Sequence, residues 1–298
     1  LRSSLNSYPN NLILNQLKVD IEKRKIFNNR FDCKDSSHVI AEILYIVANG
    51  LAIQQNYIAA NFYLNLAKHL NPNFISFKIL YAENFFSLNE YNEAKKIYNK
   101  MQNNGSVYSW YASKQIAAIL NKQEKKKEAL IFLEKIFKKI KNPTLYEIFD
   151  YAEFLKSNEK FKESIKYYSK VINIAGKKHD LYGQLVEGRG VAYERSDQWN
   201  KAETDLLNAL NVSPDDAYII NYLAYTWIEK GININKSLDM LKRANTLRPS
   251  DGYITDSLGW AFFKLKNYKE AKKYLQLAVK SMASDPIIND HYADSLWM

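Results

Sequence analysis

The chain is short of the residues that break helices and of those that cross-link a fold. Among its 298 residues are nine glycines and six prolines, which excludes collagen-like and low-complexity proteins. The one cysteine, Cys33, cannot form an internal disulfide, so we expect a fold that does not depend on oxidation. The longest uninterrupted apolar run, near residues 43–48, is far shorter than the roughly 20 residues that span a bilayer.

Residue patterns typical of enzymes are also missing. None of the four histidines has a His or Cys partner at the spacing of a zinc site. Gly183 and Gly188 do not lead into the Lys-Ser/Thr end of a phosphate-binding loop, and no nucleophile elbow is present. We therefore predict a non-enzymatic protein with no catalytic residue, no metal site and no cofactor. The histidines are His38, His69, His179 and His291.

Positive charge is in excess, but it is unevenly distributed. The formal net charge is +10, with 28 basic and 16 acidic residues in 1–179 against 14 and 16 in 180–298. The densest basic segment, residues 122–141, alternates lysines with apolar residues, which is typical of the solvated face of an amphipathic helix. An anionic partner, including nucleic acid or a glycan, is therefore a minor alternative.

What the chain does contain is an internal repeat. A small residue, a large apolar residue four positions later and a further apolar residue recur seven times. The small residues are spaced 34, 35, 35, 38, 35 and 34 positions apart, which indicates seven structural units. They are Ala60, Ala94, Ala129, Ser164, Ala202, Ser237 and Ala271.

A second small residue precedes each of these within an apolar pattern. Small side chains let two helix backbones approach closely, so we expect each unit to be an antiparallel pair of helices, A and B. A proline after helix B would end it and begin the next unit. The second set of small residues is Ala48, Ala82, Ala117, Ala152, Gly190, Ala224 and Gly259.

Over residues 37–298 this pattern resembles the tetratricopeptide repeat (TPR) family, whose unit is a helix–turn–helix of about 34 residues. The resemblance implies an all-α fold, a right-handed superhelical solenoid. We expect residues 1–36 to form an N-terminal helix (residues 10–24) and a loop, as the remnant of an upstream repeat. The expected repeats lie near 41–74, 75–108, 110–143, 145–178, 183–216, 217–251 and 252–285, with a truncated eighth at 286–298.

The C-terminal half is similar to alphaproteobacterial multi-TPR proteins. The similarity lies in Arg189–Arg195, Asn221–Trp227, Asp256–Ala261 and Ile288–Trp297. Larger proteins of that group resemble envelope lipoproteins, some of which act as adaptors. The resemblance therefore implies a periplasmic or outer-membrane-associated location, with the cytoplasm as the alternative. Because the chain begins without methionine and stops within a predicted helix, we expect further chain at both ends.

In this family, helix A of each unit lines a concave face, which implies binding of an extended peptide or partner protein there. The side chains on this face are the second, fifth, ninth and twelfth of each unit, because that spacing follows one helical stripe. Each ring could instead pack against the neighbouring unit. The candidates are Tyr218, Asn221, Tyr225, Tyr253, Asp256, Trp260, Phe263, Asp290 and Asp294.

Arg189 stands where the repeat usually has a large apolar residue. A buried guanidinium needs a partner, and either Asp205 or Glu163 on another helix could supply one. In one interpretation Arg189 fixes the junction between the fourth and fifth repeats. In the other, it points into the groove and binds a carboxylate of the ligand.

We therefore predict a protein–protein interaction module that serves as an adaptor or assembly scaffold. A self-associating scaffold is the first alternative, and a nucleic-acid- or glycan-associated module is the second. We expect membrane contact only through an anchor outside these residues, and the sequence predicts no oligomeric state.

Overall fold

The computed structural model describes residues 1–8, 11–25 and 31–298, and over these ranges the chain is helical with no strand. This confirms the predicted all-α class. The chain divides into two compact units, residues 1–142 and residues 143–298, each of which is described by itself. The division falls between the third and fourth predicted repeats.

Unit 1 contains two N-terminal helices followed by three antiparallel A–B pairs, α3 with α4, α5 with α6 and α7 with α8. The first pair begins at Ser36, five residues before the expected start of the first repeat, because Asp35 caps the helix. The helices are α1 (Arg2–Ser7), α2 (Leu12–Glu22), α3 (Ser36–Ile53), α4 (Tyr57–Leu70), α5 (Ile75–Ser87), α6 (Tyr91–Met101), α7 (Ser106–Lys122) and α8 (Lys126–Lys138).

Unit 2 contains four further A–B pairs and a final A helix, α17. This order agrees with the predicted fourth to seventh repeats and the truncated eighth. Its helices are α9 (Leu145–Ser157), α10 (Phe161–Ala175), α11 (Tyr182–Glu194), α12 (Trp199–Val212), α13 (Ala217–Glu229), α14 (Ile234–Leu247), α15 (Gly252–Lys264), α16 (Tyr268–Ser281) and α17 (Pro286–Trp297).

The small residues of the repeat lie in the packed core. Every residue of the set that begins with Ala60 is completely buried. The two serines in that set satisfy their hydroxyls locally, since Ser164 donates to the Phe161 carbonyl and Ser237 to the Asn233 carbonyl. In most repeats a residue with positive φ, such as Gln55, lies in the turn after helix A. The turn of the sixth repeat is one residue longer, and both Gly231 and Asn233 have positive φ there.

The N-terminal helix α2 lies against α7 in unit 1. Its buried residue Gln16 accepts a hydrogen bond from the Val107 N–H at 2.9 Å and so caps the start of α7. Gly105, with φ 138°, makes room for this side chain, because a Cβ there would lie 2.3 Å from Gln16. Residue 10 of the predicted helix and residues 28–30 of the predicted loop lie outside the described residues.

Helix α3 has the length and composition of a membrane-spanning helix, with 18 residues and a mean hydropathy of 1.4. The uninterrupted apolar run within α3 is limited to residues 43–48, because Glu42 and Asn49 interrupt the pattern. It pairs with α4 through Ala41 and Ala48, its two buried residues. Only 11% of this stretch is buried, and length and composition alone do not indicate a membrane span.

Candidate functional site

Three A helices of unit 2, α13, α15 and α17, lie side by side, with α15 in contact with both of the others. Each begins directly after an aspartate whose carboxylate accepts from the N–H of the second helical residue, at 2.9 to 3.0 Å. The aspartates are Asp216, Asp251 and Asp285. Identical caps start the three helices in the same register, so equivalent side chains are repeated from helix to helix. We call this surface the A-helix face.

The second residue of each of these helices is large, apolar or aromatic, and exposed. Tyr218 is 50%, Tyr253 is 53% and Ile287 is 61% exposed. The hydroxyl of Tyr218 donates to Asp251 at 3.0 Å, and this hydrogen bond raises the pKa of Tyr218. Ile287 was not among the residues predicted from the sequence, although it occupies the same register position as the two tyrosines. These three residues form an exposed row along the A-helix face.

A buried His–Asp pair joins α15 to α17. The Nδ1 atom of His291 on α17 lies 2.9 and 3.1 Å from the two carboxylate oxygens of Asp256 on α15. Both side chains are buried, and the imidazole stacks on the Trp260 ring with centroids 4.0 Å apart. Asp256 and Trp260, both predicted as groove residues, therefore join α15 to α17 and are largely hidden from solvent. The sequence did not predict this role of His291, because the pair joins residues 35 positions apart on helices of different repeats.

Trp260 also ties the sixth repeat to the seventh. Its Nε1 donates to the Glu229 carboxylate at 2.6 Å, and the Lys264 ammonium lies 3.4 Å from the same carboxylate. Phe263, another predicted residue, stacks in parallel on Trp260 with centroids 4.8 Å apart and is half-buried. Trp260 and Phe263, at the ninth and twelfth positions of the seventh repeat, therefore form an aromatic stack with charged side chains at its edge. We call this stack the stacked floor.

Asn221 and Tyr225 lie on α13 at the fifth and ninth positions, and both are half-buried. Burial, with the carboxylates of Glu229 and Asp256 nearby, raises the pKa of Tyr225 to about 12, so the phenol stays neutral and can donate a hydrogen bond. The Oδ1 atom of Asn221 is buried without a hydrogen-bond partner among the described residues.

Asp290 and Asp294 lie one helical turn apart on α17 and are both exposed. They follow Ile287 along the same stripe of the helix. This end of the A-helix face therefore combines an apolar side chain with two carboxylates.

Arg189 is held by groups from two neighbouring helices. Its Nε and Nη2 donate to the two oxygens of Asp205 on α12 at 2.7 and 2.9 Å, and Nη1 donates to the Ser169 hydroxyl on α10 at 3.0 Å. Asp205 is one of the two partners named from the sequence. Burial lowers the pKa of Arg189, but Asp205 more than compensates and the net shift is upward. The guanidinium thus fixes α11 between α10 and α12. This arrangement agrees with the first interpretation, in which Arg189 fixes the junction between the fourth and fifth repeats.

A second charged cluster lies on α9 and α11. The ammonium of Lys156 is 2.9 Å from the Glu153 carboxylate, which also accepts from the Tyr168 hydroxyl. Burial, and then the carboxylates of Asp216 and Glu153, raise the pKa of Glu187, and Lys156 acts in the opposite direction. Within the described ranges, no three His, Cys, Asp or Glu side chains are grouped so that they could hold a metal ion.

Comparison with known proteins agrees with this repeat organisation. A family model described as a tetratricopeptide repeat matches residues 77–298. A TPR repeat-containing protein of Pseudomonas aeruginosa is 25% identical over 136 residues, which are 43% of this chain and 21% of that protein. The match therefore spans about a fifth of the length of this relative.

Solved structures with a similar fold have low sequence identity to the chain. A tetratricopeptide repeat protein from Parabacteroides merdae superimposes with a TM-score of 0.63 at 11% identity, covering 86% of this chain and 98% of that one. A chain of the APC/C hetero-tetramer Cut9–Hcn1 gives 0.55 at 12% identity, covering 88% and 56%. At such identities the likeness shows the fold alone.

Proposed function

The chain belongs to the tetratricopeptide repeat family, and from this premise we propose that unit 2 binds an extended polypeptide along the A-helix face. Proteins with this fold are generally protein–protein interaction modules and are typically non-catalytic.

The observation that carries the proposal is the exposed row formed by Tyr218, Tyr253 and Ile287. Large side chains exposed at equivalent positions on adjacent helices offer apolar area that a bound chain can cover, and buried aromatic anchors dominate the binding energy of many interfaces. Packed helices lie about 8–10 Å apart, and a polyproline-II chain brings every third side chain to the same side at a rise of about 3.1 Å per residue. The row is therefore spaced for an extended ligand in this conformation, with an apolar side chain at every third residue.

The charged groups beside the row indicate a second preference. Asp290 and Asp294 are exposed next to Ile287, and the Glu229 carboxylate lies at the edge of the stacked floor. A lysine or arginine of the ligand could pair with these carboxylates. We therefore propose a ligand segment that combines spaced apolar residues with basic ones.

The experiment is selection of peptides from a random-sequence library on the full chain, followed by titration of a selected peptide. Tyr253→Ala should weaken its binding about tenfold, because a truncated aromatic anchor loses its contact area. Leu277→Ala is the matched control, since Leu277 is 46% exposed on the B helix of the same repeat and should leave affinity unchanged. Equal affinity of the wild type and Tyr253→Ala would contradict the proposal.

We also propose, from the sequence resemblance alone, that this binding serves an adaptor or scaffold role in a bacterial cell envelope. Fractionation of the source cells tests this location. Recovery of the full-length protein with the periplasm or outer membrane would support it, and recovery with the cytoplasm would contradict it.

Self-association is a second candidate, which the exposed side chains Leu296 and Trp297 on α17 favour. They are 50% and 90% exposed. Sedimentation of the chain over a range of concentrations tests it. A dimer that Trp297→Ser dissociates would support it, and a monomer at every concentration would exclude it.

A further inference from the structure

Helix α4 exposes three large apolar side chains along one stripe. Ile58 is 76%, Phe62 is 60% and Leu66 is 42% exposed. Residues four apart lie on the same side of a helix, so the three side chains form a row. We call this row the outer face of α4.

The repeat pattern does not require apolar residues on the outer face of α4. The three residues lie two before, two after and six after the small residue Ala60. At the equivalent positions of the other six repeats, 16 of the 18 residues are polar or charged, and only Ile131 and Leu277 are apolar. The first repeat is therefore the one repeat in which all three outer positions are apolar.

Its partner helix α3 exposes apolar side chains as well. Five of them are between 40% and 76% exposed, and the helix has a mean hydropathy of 1.4. They are Ile40, Ile43, Ile46, Val47 and Ile53. Both helices of the first repeat thus expose apolar surface to water, which is unfavourable in free energy. Burial of this surface against a partner would remove that unfavourable contribution.

The charge of this region identifies the kind of partner. The α3–α4 pair contains one acidic residue, Glu42, and exposed Lys68 and His69 lie in the last turn of α4; residues 43–82 contain no aspartate and no glutamate. Unit 1 as a whole holds 21 basic and 11 acidic residues, whereas unit 2 holds 21 of each, so the entire net charge of +10 lies in unit 1. A partner must therefore offer apolar surface and negative charge together.

We propose that the outer face of α4, with the exposed side chains of α3, docks unit 1 on the surface of an anionic lipid bilayer. Such a surface presents anionic headgroups directly above acyl chains, which matches a basic unit with apolar rows. Helix α4 has 14 residues, which is too short to cross a bilayer, so it lies in the plane of the interface. This inference is independent of the peptide site of unit 2.

The first experiment is co-sedimentation of the full chain with vesicles. One set contains phosphatidylcholine alone, and the other contains phosphatidylcholine with phosphatidylglycerol. The chain should sediment with the anionic vesicles, less so at high salt because salt screens the headgroup charge. Failure to sediment with the anionic vesicles, or equal binding to both sets, would overturn the proposal.

A triple variant, Ile58→Asn, Phe62→Thr and Leu66→Asn, tests the face itself. It gives the first repeat the three residues that the fifth repeat carries at these positions. Binding to anionic vesicles should fall about tenfold or more, since three side chains lose their burial in the interface. The control is Ile131→Thr, because Ile131 is 68% exposed at the position equivalent to Phe62 and should not affect binding. Unchanged binding of the triple variant, or an equal loss in the control, would overturn the proposal.

A labelling experiment gives a result even if the triple variant folds poorly. Cys33 is the only cysteine, so Cys33→Ser leaves a background for single labels. An environment-sensitive fluorophore on Ile58→Cys should shift to the blue when anionic vesicles are added, and the same label on Ile131→Cys should not. A shift at Ile58→Cys that depends on protein concentration without vesicles would identify contact between two copies and overturn the proposal. Equal blue shifts of the labels on Ile58→Cys and Ile131→Cys with vesicles would also overturn the proposal.

Discussion

In unit 1 the residues that depart from the repeat pattern lie on the outer face of a B helix, whereas in unit 2 they lie on the A helices. The small residues that bring the helices together, such as Ala60 in unit 1 and Ala202 in unit 2, are equally buried in both. Unit 1 carries the whole net charge, and unit 2 is neutral. The repeat pattern therefore determines the fold, and we propose that the positions outside the pattern select the partner.

The largest effect on stability is expected at the ion pair of Arg189. The equivalent position holds Val47, Tyr81 or Ile116 in unit 1, so the charged pair is a departure that belongs to unit 2. Asp205→Ala should lower the free energy of unfolding by about 2–4 kcal/mol, because it leaves a mostly buried guanidinium without its carboxylate. Urea denaturation measures the change.

Adding Arg189→Leu to Asp205→Ala should recover most of that loss, because the apolar residue of the other repeats then replaces the unpaired charge. A double variant as unstable as Asp205→Ala alone would show that the guanidinium does more than pair with Asp205.

An intermediate effect is expected at the His–Asp pair that joins α15 to α17, for which unit 1 has no counterpart among its described residues. His291→Phe keeps a ring against Trp260 but leaves the Asp256 carboxylate buried without its donor. The docking of α17 should weaken by about 1–3 kcal/mol. Hydrogen exchange of the α17 amides should quicken, while exchange in α9 stays unchanged; equal quickening in both helices would contradict a local role.

The smallest effect is expected at Glu187, and it depends on pH. Its pKa in the folded chain is raised above the ordinary 4.5, so the ionised form is disfavoured by folding and costs stability as pH rises through the folded pKa. Glu187→Gln should therefore stabilise the chain by about 0.5 kcal/mol or less at neutral pH, since solvent screens part of the interaction. The gain should vanish well below pH 4.5.

Thermal unfolding at neutral and acidic pH measures this difference. Glu163→Gln makes the same change of charge at an exposed position of α10 and is the control. A gain for Glu187→Gln that is the same at both pH values would contradict the assignment.

Much of the fold could be predicted because it depends on local patterns. The small residues and their spacing predicted seven helix pairs. The repeat position of Arg189, where a large apolar residue is usual, predicted Asp205 or Glu163 as its partner, and the partner is Asp205. The contact between Gln16 and Val107 could not be predicted, since it joins residues 91 positions apart and no repeat relates them.

The candidate site was predicted only in part, because burial within it depends on contacts between repeats. Tyr218 and Tyr253, which the register predicted as groove residues, are exposed, but the register could not distinguish exposed from buried members of the stripe. Asp256 is buried because His291 of the next repeat lies over it, which depends on the distance between helices. The exposed Ile287 could have been found by extending the same register into the eighth repeat.

The central claim is that the exposed row of the A-helix face contacts a bound polypeptide, and site-specific photo-crosslinking tests it most directly. p-Benzoylphenylalanine is incorporated in place of Tyr253 or of Leu277, and each chain is irradiated with a library-selected peptide. We predict a crosslinked peptide with the label at position 253 and none with the label at position 277. Crosslinking at position 277 without any at position 253 would contradict the claim.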